Sequence, residues 1–298
     1  MGCAVSADAV TRIAFGYNTQ LHVSRNSGST WTATGISGQW VAGATSADGS
    51  RMIALDTTNP GGRVHLSTDY GSTWLLTTVG TTGTSASDSG NWMECASSSS
   101  GQYLLALRTS GRMYRSSDYG STWSMSLSDD ATGTVALSSS GTMALMTTTF
   151  RRLATSVDFG ANWIARGPTG NWVDCALSAD GTKQIALDGV TGGVWRSIDS
   201  GVNWALAATI PEIIYDQTYR YEQASCTSSA DGLSLLVCTP IGTAHSSTNG
   251  GTTWSSILLP PNIIGSIRDC SSSDDGLKHT IVTYYDMFGG SIVVSSTT

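Results

Sequence analysis

Ser67-Thr68-Asp69-Tyr70-Gly71-Ser72-Thr73-Trp74 is the stretch on which the fold turns. It returns at Ser116–Trp123 (SSDYGSTW), Ser156–Trp163 (SVDFGANW) and Ser197–Trp204 (SIDSGVNW). Two further copies carry Asn in place of Asp, at Ser24–Trp31 (SRNSGSTW) and Ser247–Trp254 (STNGGTTW). The polar centre of the motif therefore falls at Asn26, Asp69, Asp118, Asp158, Asp199 and Asn249, and its aromatic end at Trp31, Trp74, Trp123, Trp163, Trp204 and Trp254. A tight hairpin needs a residue at positive φ, which Gly supplies without steric cost. The Asp or Asn oxygen can accept backbone N–H bonds inside the turn, and the Ser hydroxyl can add another. The Trp then opens the outer strand and can bury a flat face against its own sheet. The motif reads as a structural rivet rather than a catalytic group.

Upstream of each rivet stands a second signature, a strand ending in Ser-x-x-Gly and then a short apolar strand. Examples are Ser46-Ala47-Asp48-Gly49 before Met52-Ile53-Ala54-Leu55, and Ser178-Ala179-Asp180-Gly181 before Gln184–Leu187. Equivalent segments begin at Ser98, Ser138, Ser229 and Ser273, and in the variant form Ser6-Ala7-Asp8-Ala9. Seven repeats of four strand-sized segments, A to D, predict an all-β, seven-bladed propeller of four-stranded antiparallel blades. The expected blades of this single propeller over 1–298 are about 1–36, 37–80, 81–128, 129–168, 169–210, 211–260 and 261–298. No segment sustains a 3.6-residue period, so almost no helix is expected, the longer stretch Pro211 to Glu222 being the one candidate. The seventh repeat carries a strand C (Ser291-Ile292-Val293-Val294-Ser295), but the sequence stops inside the motif at Thr298. Blade 7 is expected to lack its outer strand, leaving an edge that can accept a strand from a partner or support oligomerisation.

Composition narrows the function. With 15 Lys plus Arg against 22 Asp plus Glu, the net charge of −7 argues against nucleic acid or an anionic membrane as the main partner. No apolar run is long enough for a transmembrane segment and no signal-peptide pattern opens the sequence, so the compartment is not assigned. Met1-Gly2-Cys3 resembles an acylation site, but Cys3–Asp8 aligns with the internal Cys175–Asp180 and reads as a first-repeat strand. Cys3, Cys95, Cys175, Cys226 and Cys270 share one repeat position, which disfavours disulfides among them, and Cys238 lies in another strand. They read as small buried apolar residues.

S-x-D-x-G-x-x-W resembles the Asp-box, or BNR repeat, of sialidases, sortilin-type receptors, xyloglucanase-like glycosidases and photosystem II assembly factors. The resemblance implies the propeller and leaves the activity open. Sialidases add an Arg triad, a Tyr beside a Glu, and an early Phe-Arg-Ile-Pro; here the nearest string, Thr11-Arg12-Ile13-Ala14, lacks the Phe and the Pro. Only Glu94, Glu212 and Glu222 exist, and Tyr221-Glu222, as neighbours on a strand, point to opposite faces. A xyloglucanase-like enzyme needs two Asp across a cleft, for which Asp174 with Asp269, or Asp56 with Asp188, are the candidates. An assembly factor implies a basic patch, which Arg residues scattered over an acidic chain do not suggest.

The A–B turns and the rivets share one face of a propeller, and both are regular. The B–C and D–A connections share the other, where the repeats disagree, and binding is expected there. At the entry to strand A, Trp40, Trp92 and Trp172 stand at one repeat position, with Glu94 and Asp174 two residues after Trp92 and Trp172, and Asp269 beside Cys270. Residues i and i+2 share a strand face. Trp92 with Glu94 and Trp172 with Asp174 could therefore join an aromatic platform to a carboxylate, as sugar recognition requires, unless the Trp rings pack between blades. The candidate ligand-binding residues are Trp40, Trp92, Glu94, Trp172, Asp174, Tyr221 and Asp269. No catalytic residue, metal ligand or cofactor is assigned. His22, His65 and His245 stand where Tyr114 and Trp195 stand in other repeats, which reads as packing. The expected function is a non-enzymatic binding module for a glycan or a protein, with a glycoside hydrolase or a polypeptide-binding scaffold as the alternatives.

Overall fold

A computed structural model describes residues 2–58, 62–77, 79, 91–128, 131–148, 151–214, 224–257, 266–285 and 289–296. The expected fold is present: antiparallel blades follow one another in chain order. Blades 3 to 6 are separate four-stranded sheets. Blade 5, for example, is Trp172–Leu177 (A), Gln184–Asp188 (B), Gly193–Ser197 (C) and Ala205–Thr209 (D). Blades 1 and 2 join through one 14-residue strand, Thr32–Thr45, forming a continuous seven-stranded sheet. Its first part pairs with strand C of blade 1 as far as Gln39, and its second part pairs with strand B of blade 2 from Trp40 onward. Blade 7 has three strands among the described residues, Ser266–Ser272, Lys278–Tyr285 and Gly289–Ser296. The only helical turn among the described residues is a 3₁₀ turn at Pro211–Ile213, at the start of the stretch marked as a helix candidate.

Strand B is covered on both faces, which is why it reads as a continuous apolar run. Met52–Asp56, Leu104–Arg108 and Gln184–Asp188 are buried along their whole length. The core lies in the seams between blades. One seam joins Ile53, Leu55 and Val64 of blade 2 to Trp92, Cys95, Leu104 and Tyr114 of blade 3. Strand D is the outer edge, where Leu75, Met125, Ile164 and Leu206 are exposed. No helix among the described residues is long and apolar enough to cross a membrane.

The Ser and the Asp or Asn bonds of the rivet recur in all six copies, and the Trp Nε1 bond recurs at Trp74, Trp123, Trp163, Trp204 and Trp254. At Ser67–Trp74, the Ser67 hydroxyl donates to Asp69 Oδ1 (2.8 Å) and accepts from Gly71 N (2.9 Å). Asp69 accepts from Thr73 N (2.8 Å) and Thr73 Oγ1 (2.6 Å), and Trp74 Nε1 donates to the Gly71 carbonyl (3.1 Å). Asn249 substitutes without loss: Oδ1 accepts from Thr253 N (2.9 Å), and Nδ2 donates to Thr253 Oγ1 (2.8 Å). Two details differ from the sequence expectation. The left-handed conformation spans two residues, Tyr70 (φ 58°) and Gly71 (φ 73°), so the residue before Gly is also strained. The rivet Trp also packs at the seam with the preceding blade rather than only on its own: Trp74 lies against the cluster holding Val23 of blade 1 and Met52 of blade 2. A Cβ on Gly71 would come within 2.7 Å of Val23, so close approach as well as φ demands Gly there.

The A–B turns close the propeller at its hub. The second residue of each Ser-x-x-Gly turn donates its N–H to the carbonyl of the equivalent residue in the next blade: Ala7 to Ala47, Ala47 to Ser99, Ser99 to Ser139, Ser139 to Ala179, Ala179 to Ala230, and Ala230 to Asp274. Asp274 N then donates to Ala7 O at 2.8 Å and completes the ring. The seam between blades 7 and 1 is reinforced by Arg12 Nη1 to Thr280 Oγ1 (2.8 Å), by Lys278 Nζ to Asp8 O (3.0 Å) and by Cys3 N to Asp269 Oδ2 (2.8 Å). Closure is therefore made by inner strands.

Candidate functional site

Strand A lines the central channel with an edge that has no strand partner among the described residues, so its N–H groups there need another acceptor. The residue before the repeated Cys supplies it. Asp174 accepts from its neighbour Cys175 N (2.8 Å) and, across the seam, from Cys226 N (2.7 Å). Asp269 accepts from Cys270 N (2.8 Å), Cys3 N (2.8 Å) and Ser225 Oγ (3.1 Å). Glu94 accepts from Cys95 N (2.9 Å). These three carboxylates, with Thr134 and Ser225 from other blades, line a cavity of about 320 Å³ at the D–A end of the channel. Phe15, Val41 and Val173 form apolar parts of its wall, and Arg268 also lines it.

The carboxylates sit deep in the molecule and close to one another. Burial pushes Asp174 up to about 7, against the opposing pull of its N–H donors, and the charge of Asp269 adds to the rise. Burial also raises Glu94 well above the ordinary carboxylate range, with further contributions from Asp269 and Asp174, and it raises Asp269. The rivet carboxylates shift oppositely. Hydrogen bonds from Thr73 hold Asp69 down to about 2, and those from Asn162 do the same for Asp158.

These shifts set opposite pH limbs. A raised folded pKa means the channel acids favour folding while protonated, and that support is lost as pH rises from their unfolded values near 4 through about 7. A depressed folded pKa means the rivet acids support folding above about 4 and lose that support as pH falls towards 2. Thermal unfolding followed by circular dichroism should therefore show greatest stability at mildly acidic pH, with a decline on either side. Glu94→Gln keeps the acceptor for Cys95 N, removes one charge, and should raise Tm at pH 8.5 by several degrees while leaving pH 4.5 nearly unchanged. A wild-type Tm that is flat from pH 5 to 9, or equal gains at both pH values, would contradict this assignment.

The aromatic half of the expected platforms is elsewhere. Trp40, Trp92 and Trp172 are 1%, 2% and 9% exposed and lie in the blade seams. Each meets the strand-C ring of its own blade edge-on: Trp40 meets His65 (5.0 Å), Trp92 meets Tyr114 (6.0 Å) and Trp172 meets Trp195 (6.3 Å). Nε1 of Trp40 donates to Thr19 O, and that of Trp172 to Arg151 O, both at 3.0 Å. The same-face rule fails here because the register shifts between Trp92 and Glu94, between Trp172 and Asp174, and likewise between Trp40 and Ala42 and between Ile267 and Asp269. One extra residue sends the ring to the seam and the acid to the channel.

Asp56 and Asp188 are also absent from the channel group. Both are buried at the B–C corner. Asp56 Oδ1 accepts from Gln39 N (2.9 Å) and Thr58 N (2.8 Å), and Asp188 accepts from Val190 N (3.0 Å) and Thr191 Oγ1 (2.7 Å). Tyr221 and Glu222 lie outside the described residues. Sequence reasoning missed Ser225, which bonds Asp269, and Thr134; both hold the repeat position of Glu94 and Asp174, and alignment on the following residue could have found them. No grouping of His, Cys, Asp and Glu suited to a metal occurs among the described residues.

No family model and no curated protein matches the sequence. Solved structures match its fold. A YCF48 structure, described as bound to D1 peptide, is 14% identical with a TM-score of 0.70, and the alignment covers 100% of this chain and 93% of that one. The GH74 xyloglucanase from Xanthomonas campestris is 15% identical with a TM-score of 0.74, over 99% of this chain and 51% of that enzyme. This chain thus spans about half the enzyme's length. The Cps50 (Swd1) beta-propeller domain of Myceliophteria thermophila is 11% identical with a TM-score of 0.70, over 99% and 95%. At these identities the likeness is one of fold.

Proposed function

We propose that the protein is a non-enzymatic binding propeller of the Asp-box type, taking a polypeptide on its D–A and B–C face and seating a cationic side chain in the channel mouth. The observation that carries this is the convergence of Glu94, Asp174 and Asp269 on one cavity. Burial, and for Glu94 and Asp174 the added repulsion of neighbouring carboxylates, disfavours their ionisation, and a bound ammonium or guanidinium offsets both. Such poised groups are a mark of functional sites. The net charge of −7 favours the approach of a basic segment. The burial of Trp40, Trp92 and Trp172 removes the proposed sugar platforms, so a protein ligand is preferred to a glycan. The peptide-bound YCF48 structure is a precedent for a polypeptide on this fold.

The test uses acetylated hexapeptides with a single central Lys, Arg, Ala or Glu, titrated by fluorescence anisotropy. Lys and Arg peptides should bind and Glu peptides should not. Asp174→Asn, which gives up one of its two backbone N–H bonds with the charge, should weaken binding at least about tenfold in protein that circular dichroism shows to be folded, and salt should weaken binding further. Affinity should rise with pH through about 7 as Asp174 ionises. Equal binding of Lys and Glu peptides, or an unaffected Asp174→Asn variant, would rule this function out.

A glycoside hydrolase is the second reading, favoured by one observation: a carboxyl at about 7 suits a general acid. Against it, both oxygens of Asp174 and of Asp269 already accept hydrogen bonds from the protein. Turnover of aryl glycosides, lost in Asp174→Asn, would establish it in place of simple binding.

A further inference from the structure

We propose that Cys238 and Cys270 form an oxidisable dithiol whose disulfide staples blade 6 to blade 7. The repeats make the placement specific. Cys238 is the fourth residue of its strand B, the position of Phe15, Leu55, Leu107 and Leu187 in other blades, and Cys270 is the repeated strand-A cysteine of the following blade. Across the blade seams these two positions meet. A Cβ on Gly43 would come 2.8 Å from Phe15, Leu55 packs in one cluster with Cys95, Leu107 with Val135, and Leu187 with Cys226. Only in the seam between blades 6 and 7 are both positions cysteine, and there Cys238 and Cys270 share one buried cluster with Leu236 and Ile267.

Register supports the same contact. Cys238 pairs directly with Ser225 across its blade, so the two side chains share a sheet face. Ser225 Oγ is the group on which the Cys270 thiol rests, at 3.5 Å. Cys238 is also the largest of the influences that raise the Cys270 thiol above its ordinary range. Both cysteines are free and buried, but Cys270 lines the channel cavity, so a small reagent can reach it from there.

The chemistry needs a two-electron oxidant, and a small dialkyl disulfide supplies it. The Cys270 thiolate attacks one sulfur, the mixed disulfide forms, and one alkyl thiolate leaves. The Cys238 thiolate then attacks the Cys270 sulfur and expels the second alkyl thiolate. The two cysteines are oxidised, the reagent is reduced to two thiols, and the two protons from the cysteines end on them. The neighbouring Cys238, burial and the Asp269 charge all push the Cys270 thiol up, so the exchange should be slow at neutral pH and faster in base.

The folded protein would be incubated with 2-hydroxyethyl disulfide at pH 8.5, quenched in acid, alkylated and digested without reduction. The expected product is a single cross-linked peptide pair containing Cys238 and Cys270, with Cys95 and Cys175 still alkylated. Tm should rise by about 5 °C and return on reduction. Cys238→Ser should instead stop at a mixed disulfide on Cys270, and Cys270→Ser should yield no cross-link. Persistence of a mixed disulfide on Cys270 in the wild type, failure of both thiols to react, or a cross-link to a different cysteine would overturn the assignment.

Discussion

Replacing Trp92 by alanine should lower Tm by roughly 10 °C, the largest loss expected of any single substitution at the positions described above. The ring is 2% exposed and fills the seam between blades 2 and 3 with Leu55, Val64 and Leu104. It meets Tyr114 edge-on and carries the Arg108 guanidinium 4.1 Å above its face. Truncation opens a cavity that two rigid sheets cannot collapse to fill, and it strips a buried cation of its aromatic support. Loss of a buried Trp costs about 3–5 kcal/mol, and each kcal/mol moves Tm by about 2–4 °C in a chain of this size. Differential scanning calorimetry measures this directly. The substitution also separates the two readings of the strand-A tryptophans. A sugar platform would lose ligand with Tm little changed, whereas a seam residue loses Tm. A Tm within about 2 °C of wild type would return Trp92 to the list of ligand contacts.

The second large effect is expected of Asp269→Ala, and its size should depend on pH. The side chain joins blade 7 to blade 1 through Cys3 N and to blade 6 through Ser225 Oγ, while also holding Cys270 N. Removing it leaves three donors to water in a narrow channel, at about 2–4 kcal/mol in all. Below the unfolded pKa of about 4 that loss is undiluted. At pH 8.5 the wild type bears the cost of ionising a carboxyl whose folded pKa is raised, and the variant does not. The difference in Tm should therefore shrink as pH rises. A loss that grows with pH would mean that Asp269 is stabilised as an anion, contrary to its burial beside Asp174 and Glu94.

The fold was legible because its signals repeat. One rivet could be a chance string; six at intervals of about 40 to 50 residues, each preceded by a Ser-x-x-Gly turn or its Ser-x-x-Ala variant, leave little but a propeller. The packing role of His65 was legible for the same reason, since Tyr114 and Trp195 occupy its position in other repeats. The site was half legible. Glu94 and Asp174 were singled out from their place two residues after a tryptophan, and Asp269 from its place beside Cys270, and the three do meet in the channel. The tryptophans were misplaced because two-residue alternation holds only while the ladder is regular, and a register shift between Trp92 and Glu94 leaves no mark in residue type. Asp56 and Asp188 were plausible partners by charge alone. Their turn bonds depend on how the B–C corner folds back on strand A, which pattern does not encode. The contact of Cys238 with Cys270 needed the offset between strand B of one blade and strand A of the next, a quantity that exists only once the blades are stacked.

The hub of seven amide links also works as a counting device. Each link spans one repeat, so the ring has a circumference set by the number of repeats and by nothing at the rim. Duplicating or deleting a repeat cannot be absorbed by a longer outer loop; it must redraw the hub at a new diameter and carry the walls of the acidic cavity with it. Bore and repeat number are thus one variable. Variation on the outer strands is free of this constraint, while the turn tips, six of them alanine or serine and the seventh Asp274, tie the width of ligand that the axis can admit to the number of repeats.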